Sequence, residues 1–261
     1  MSMMTNLLIP PELVEQLERG NVVLLCGAGI SISEDGLPSG QQLAQELAQR
    51  SQQADINEFT LPEVAQVYEL QMGHQSLIAY LVSRFDDPRL VPLPTHQHIA
   101  TLPFKLIVTT NWDNLLEEAL HQAHKPFVKV VDDIDVAFAD NDKTLLVKLH
   151  GSIERKDSIV IASDDYYRVL ARIPEIANLI RSYFATRTLL FLGYGLADDD
   201  FKHLYFGVVD NLGRHKRRAY AVQLNTTSVS IKYWHEKNVE VIEVGAVDFL
   251  ATLKAHLKLP G

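Results

Sequence analysis

Short apolar runs without alternation recur along this chain, and several end in a glycine-bearing or polar turn. The first is Val22-Val23-Leu24-Leu25-Cys26, which leads into Gly27-Ala28-Gly29-Ile30-Ser31. Five residues are too few for a helix. The missing period of two argues against a half-exposed strand, so the run fits a strand buried on both faces. "FKLIVTTN", "TLLVKLHG", "TLLFLGYG", "RAYAVQLN" and "VEVIEV" continue the series. Amphipathic segments lie between them. Alternation of buried strands with such helices predicts an α/β fold with a doubly wound, Rossmann-like parallel sheet.

Leu13 and Leu17 share a helix face ahead of Gly20, which sits where a carboxyl cap belongs. Ser39 followed by Gln42 is a helix-start signature, and Leu43 and Leu47 lie one turn apart behind it. Val64, Val67, Tyr68, Leu77, Ile78 and Leu81 extend helical periodicity over 62–85, with Gly73 as the expected interruption. These segments predict a small helical lobe inserted at about 40–100. "LADDDFKHLYFGVV" reads as a helix, and Val247, Leu250 and Leu257 should share the packed side of the last one. No repeat or linker divides the chain, so one domain over 1–261 is expected.

Composition excludes several classes of function. Thirty-three acidic against 24 basic residues give a formal charge of −9, which disfavours a nucleic-acid surface or an anionic membrane as partner. The one basic stretch, "GRHKRR" at 213–218, fits a solvated turn or a partner-docking surface. A single cysteine, Cys26, rules out an internal disulfide and a four-cysteine zinc site. The start lacks a basic-then-apolar leader and no apolar run approaches about 18 residues, so a cytoplasmic protein is expected.

Ligands of doubly wound sheets bind beyond the carboxyl ends of the strands. Four polar stretches, "GAGIS", "TTNWD", "HGS" and "GYGLADDD", follow separate strands and would meet at that rim. Gly27, Ala28, Gly29 and Ser31 suit a diphosphate as well as a plain strand-to-helix turn. Asp113 is a natural helix cap. Asn111 can cap too, but its amide also donates and accepts one step beyond a buried strand. His150, directly after a strand, is placed to act as a general base near neutral pH. His96 and His98 are close together but lack a third ligand in pattern. Consecutive Asp198, Asp199 and Asp200 fan out by about 100° each on a helix and complement its dipole rather than chelate one ion. A phosphate-binding GxxxxGK[ST] loop, a G-x-S-x-G elbow and a complete G-x-G-x-x-G fingerprint are absent; Ile32 stands three positions after Gly29.

Taken in this order, "GAGIS", "TTNWD", "LHGS" and "GYGLADDDF" resemble the Sir2-like superfamily, specifically its bacterial, defence-type branch of NAD-consuming domains, over about residues 20–250. The resemblance implies NAD as substrate and no metal. It assigns the diphosphate to Gly27, Ala28, Gly29 and Ser31, and catalysis to Asn111 and His150. Asp113 would help hold the nicotinamide side. Gly193, Tyr194 and Gly195 would border the adenosine half, with Asn225 and Gly245 as further cofactor-binding candidates at later strand ends. Deacylases of the superfamily carry a four-cysteine zinc ribbon and a Gly-Ile-Pro-Asp-Phe-Arg stretch. This chain has one cysteine and reads "DGLPSGQQ" there. The implied activity is therefore hydrolysis of NAD to nicotinamide and ADP-ribose in antiphage defence, controlled by a separate sensor chain, by homo-oligomerisation, or by both. Protein deacylation, ADP-ribosyl transfer and non-catalytic NAD or ADP-ribose binding are the alternatives.

Overall fold

A computed structural model describes residues 9–33, 36–52, 59–140, 142–196, 202, 205–206 and 217–257. Among these, seven strands form one parallel sheet: β1 (Val22–Cys26), β2 (Leu106–Thr109), β3 (Phe127–Val130), β4 (Thr144–Lys148), β5 (Thr188–Leu192), β6 (Ala219–Val222) and β7 (Val239–Ile242). Their order is β3-β4-β2-β1-β5-β6-β7, so the winding reverses at β1. β1 fills both faces of the sheet. Val22, Leu24 and Cys26 pack into one core layer, and Val23 and Leu25 into the other. Six of the strands coincide with the apolar runs. β3 does not: "FVKV" is four residues long, lies at the sheet edge and is half-buried over its first three positions.

The first layer is covered by α1 (Pro11–Glu18), α5 (Pro94–Thr101), α6 (Leu115–Gln122) and α10 (Ala246–His256). On α10 the packed residues are Phe249, Leu250 and Leu253, joined by Leu257 just beyond its end. Val247 is 39% exposed, correcting its expected place on that side. The second layer is covered by α8 (Pro174–Thr186) and α9 (Ser228–Glu236), through Ile176, Ile180, Phe184 and Trp234.

A third cluster builds the lobe from α2 (Gly40–Arg50), α3 (Leu61–Met72) and α4 (His74–Phe85). Ser39 and Gln42 form the reciprocal capping box that starts α2, and Gly73 separates α3 from α4. The lobe ends at Phe85, short of residue 100, because α5 packs on α6 and α10 instead. α7 (Ser163–Arg172) leans on α3 and closes the lobe side. The expected helix over Asp198, Asp199 and Asp200, and most of the basic stretch at 213–218, lie outside the described residues. No described helix is long and apolar enough to cross a membrane.

Candidate active site

Strand register brings the polar turns together. Cys26 is level with Thr109 on β2 and with Leu192 on β5, and Thr109 is level with Lys148 on β4. The next residues along each strand therefore emerge at one rim, at the point where the winding reverses. A cavity of about 650 Å³ opens there between the sheet and the lobe. Ala28, Gly29, Ser31, Asn111, Asp113, His150, Gly193, Tyr194 and Gly195 all line it.

Three candidates fall elsewhere. Gly27 is buried beneath the cavity wall: a Cβ there would stand 2.6 Å from the Tyr194 ring and 2.7 Å from the Gly193 carbonyl oxygen. Asn225 occupies a turn after β6 with φ 57°, and Gly245 precedes α10. Neither borders the cavity, because β6 and β7 lie two and three strands away from β1, roughly 10–15 Å at the usual strand spacing.

The glycines of the first turn answer to packing against the fourth polar turn. The Gly29 N–H donates to the Gly193 carbonyl (2.8 Å) and the Gly27 N–H to the Leu192 carbonyl (2.9 Å). Ile30 and Ser31 donate back to Gly27 and Ala28. These four amides are committed within the fold, so the loop meets the cavity with the exposed surface of Ala28 and Gly29 rather than with an amide nest. Tyr194 sends its hydroxyl inward, donating to the Cys26 carbonyl at 2.9 Å.

Behind the wall runs a buried polar chain. Leu93 N–H donates to His96 Nδ1 (3.0 Å), which leaves the ring proton on Nε2, 3.0 Å from Ser31 Oγ. Asn111 Nδ2 donates to the same oxygen at 3.0 Å. Hydrogen bonds from Ser31 and Asn111, together with the Lys148 charge, act to keep Asp113 ionised. Burial is the larger effect and pushes the Asp113 carboxyl above its ordinary range. With the Asn111 amide nitrogen held inward, its Oδ1 is buried without a protein partner in a residue that lines the cavity. A buried acceptor left without a partner is uncommon in native proteins. His150 is 7% exposed, and its ring meets Tyr166 of α7 edge-on, with centroids 4.7 Å apart. Gly151, at φ +83°, turns the chain directly after it; a Cβ there would stand 2.2 Å from the Ser158 carbonyl oxygen.

Sequence reasoning gives no role to Lys148, Glu117 or Tyr166. The signal for Lys148 was present: a lysine inside a doubly buried run must find a partner. His96, which the sequence pairs with His98 without a third metal ligand, lies on the buried face of α5 with Ile99 and Ala100. Among the described residues, no group of three or more His, Cys, Asp and Glu could hold a metal ion.

Burial also makes His96 an acid-labile point. Its pKa is lowered to about 4, chiefly by desolvation, against the opposing pull of the Glu117 charge. The unfolded chain takes up that proton near pH 6.5, so the native state loses stability as pH falls from about 6.5 towards 4, by roughly 2–3 kcal/mol. Thermal denaturation across this range should show the loss in the parent and a flatter profile in His96→Gln. Equal slopes would refute the assignment.

Comparison with known proteins places this geometry in context. A family model described as a SIR2-like domain matches residues 105–242. The NAD(+) hydrolase ThsA of Enterococcus faecium is 29% identical over 215 residues, covering 80% of this chain and 44% of that protein. Defense-associated sirtuin 2 of Bacillus subtilis is 24% identical over 246 residues, covering 90% of this chain and 24% of that protein. The chain thus spans less than half the length of either relative. Among solved structures, a Sir2 homologue–NAD complex superposes with a TM-score of 0.58 at 14% identity, covering 95% of this chain and 94% of that one. At that identity the likeness concerns the fold.

Proposed function

Because the chain belongs to the SIR2-like domain family, we propose that it is an NAD⁺ hydrolase, releasing nicotinamide and ADP-ribose. The observation that carries this reading is the meeting of Asn111 and His150 in one cavity beside the Gly29 and Gly193 turns. Relatives named as NAD(+) hydrolases and as a defence-associated sirtuin support it.

Nicotinamide in NAD⁺ is a cationic leaving group. The C1′–N1 bond breaks with its electron pair going to the ring, and positive charge develops on the ribose as in other glycoside cleavages. Water then adds to C1′ and gives up a proton, so the balance is NAD⁺ and water to nicotinamide, ADP-ribose and H⁺. The protein has to orient, exclude stray water and deliver one nucleophile. Asn111 orients the ribose and the attacking water through its amide, and His150 takes the water's proton. Ala28, Gly29 and Ser31 face the diphosphate, Asp113 supports the nicotinamide side, and Gly193, Tyr194 and Gly195 border the adenosine half. The role is defence within the bacterial cytoplasm, with activity set by a sensor chain or by self-assembly.

Purified protein incubated with NAD⁺, alone and at increasing protein concentration, should release nicotinamide and ADP-ribose in equal amounts. Asn111→Ala should lower kcat by about 10²-fold, the scale of a lost orienting contact. Release at the parental rate by that variant would overturn the assignment of Asn111.

A further inference from the structure

Lys148 is the last residue of β4, two positions before His150, and its side chain has no exposed surface. A buried ammonium is costly unless each of its protons is matched. Here each one is. Nζ lies 2.5 Å from the Asp113 carbonyl oxygen, 3.2 Å from the Trp112 carbonyl oxygen and 2.8 Å from Glu117 Oε1. Glu117 is itself 6% exposed, in the first turn of α6. An ammonium has three donors, and all three are used.

Two of the acceptors are carbonyls of the irregular segment between β2 and α6, the segment that carries Asn111 and Asp113. That segment has few other ties to β4: the Trp112 carbonyl also accepts the Ile153 N–H at 3.0 Å, from the loop that follows His150. The strand that leads to His150 and the turn bearing Asn111 are thus cross-linked by one side chain.

We propose that Lys148, anchored by Glu117, is a positioning residue for catalysis: its ammonium fixes the Trp112–Asp113 peptide against β4 and thereby sets Asn111 relative to His150. Lys148 lines no part of the cavity. Its effect is on geometry at the reacting centre, where a displacement of about 1 Å can cost about 10²-fold. The catalytic consequence rests on the NAD-hydrolase reading; the cross-link itself does not.

The test separates the two. Lys148→Met should reduce kcat by about 10–10²-fold while KM for NAD⁺ stays within about 3-fold, since ground-state contacts are spared. Because Glu117 would be left buried with only the more distant Lys129 (3.7 Å) as a partner, the double variant Lys148→Met/Glu117→Met is measured beside it. Neutral pairs of similar volume are commonly tolerated. The double variant should melt close to the parent and remain as slow as Lys148→Met. Adding Lys148→Met to Asn111→Ala should cause little further loss, because both act on one element. Hydrogen–deuterium exchange of the peptide spanning 109–118, measured without NAD⁺, should accelerate in the double variant while the remaining strands keep their protection. A folded double variant with parental kcat and parental exchange at 109–118 would overturn the proposal. A parent that releases no nicotinamide would instead sink the hydrolase reading, and exchange alone would then decide whether the cross-link exists.

Discussion

Replacement of His150 by alanine is expected to lower NAD⁺ turnover by about 10²–10⁴-fold, the range associated with a lost general base. ADP-ribose affinity and melting temperature should stay near the parental values. The ring is removed from a cavity wall rather than from a core: His150 borders open volume on one side and the Tyr166 edge on the other. The turn that positions it is held by backbone, through the Val160 N–H on the His150 carbonyl (3.0 Å) and through Gly151. Deleting the imidazole leaves both intact. Steady-state release of nicotinamide, paired with calorimetric titration of ADP-ribose, checks the two halves of the expectation. A variant that binds ADP-ribose and hydrolyses NAD⁺ at the parental rate would remove His150 from the mechanism.

Gly193→Ala is expected to lower stability strongly. Gly193 has φ +74°, a region that a residue with a Cβ enters at a cost of about 1–2 kcal/mol. Its Cβ would also stand 2.7 Å from the Ile30 amide nitrogen and 2.8 Å from the Gly27 carbonyl oxygen. Both are backbone atoms of the turn after β1, so they cannot swing aside, and overpacking adds about 1–3 kcal/mol. At about 2–4 °C per kcal/mol for a chain near this size, the melting temperature should fall by roughly 5–15 °C. Displacing that turn also moves Ala28, Gly29 and Ser31 along the cavity rim, so ADP-ribose binding should weaken in the same variant. Thermal denaturation within about 2 °C of the parent would show that the two turns are not in the contact described.

The glycines illustrate how far local reading reaches. "GAGIS" and "GYG" announce that backbone must pass close to something, and a diphosphate was a natural candidate. The approach is largely between the turns themselves, each glycine clearing room for the other strand's exit. No local pattern could distinguish the two, since both require the same missing Cβ. β3 escaped notice for a different reason. An edge strand of four residues, only partly buried over its first three positions and carrying Lys129, lacks the continuous apolar signal of the central strands. On the terminal helix Phe249, two positions after Val247, turns inward instead.

Buried strands, the turns at their ends and the candidate amide and imidazole were determined by the sequence itself, because each depends on residues within a few positions of one another. The tertiary structure alone decided which turns share a rim and what stands behind them. Ser31 meets His96 across 65 positions and Asn111 across 80, and Lys148 reaches Asp113 across 35. Such pairings follow from strand order and register, which are settled by packing of the whole sheet. A neutral histidine and a paired lysine inside the core owe their character to that packing, for it is burial that removes water and leaves each proton to a single protein partner.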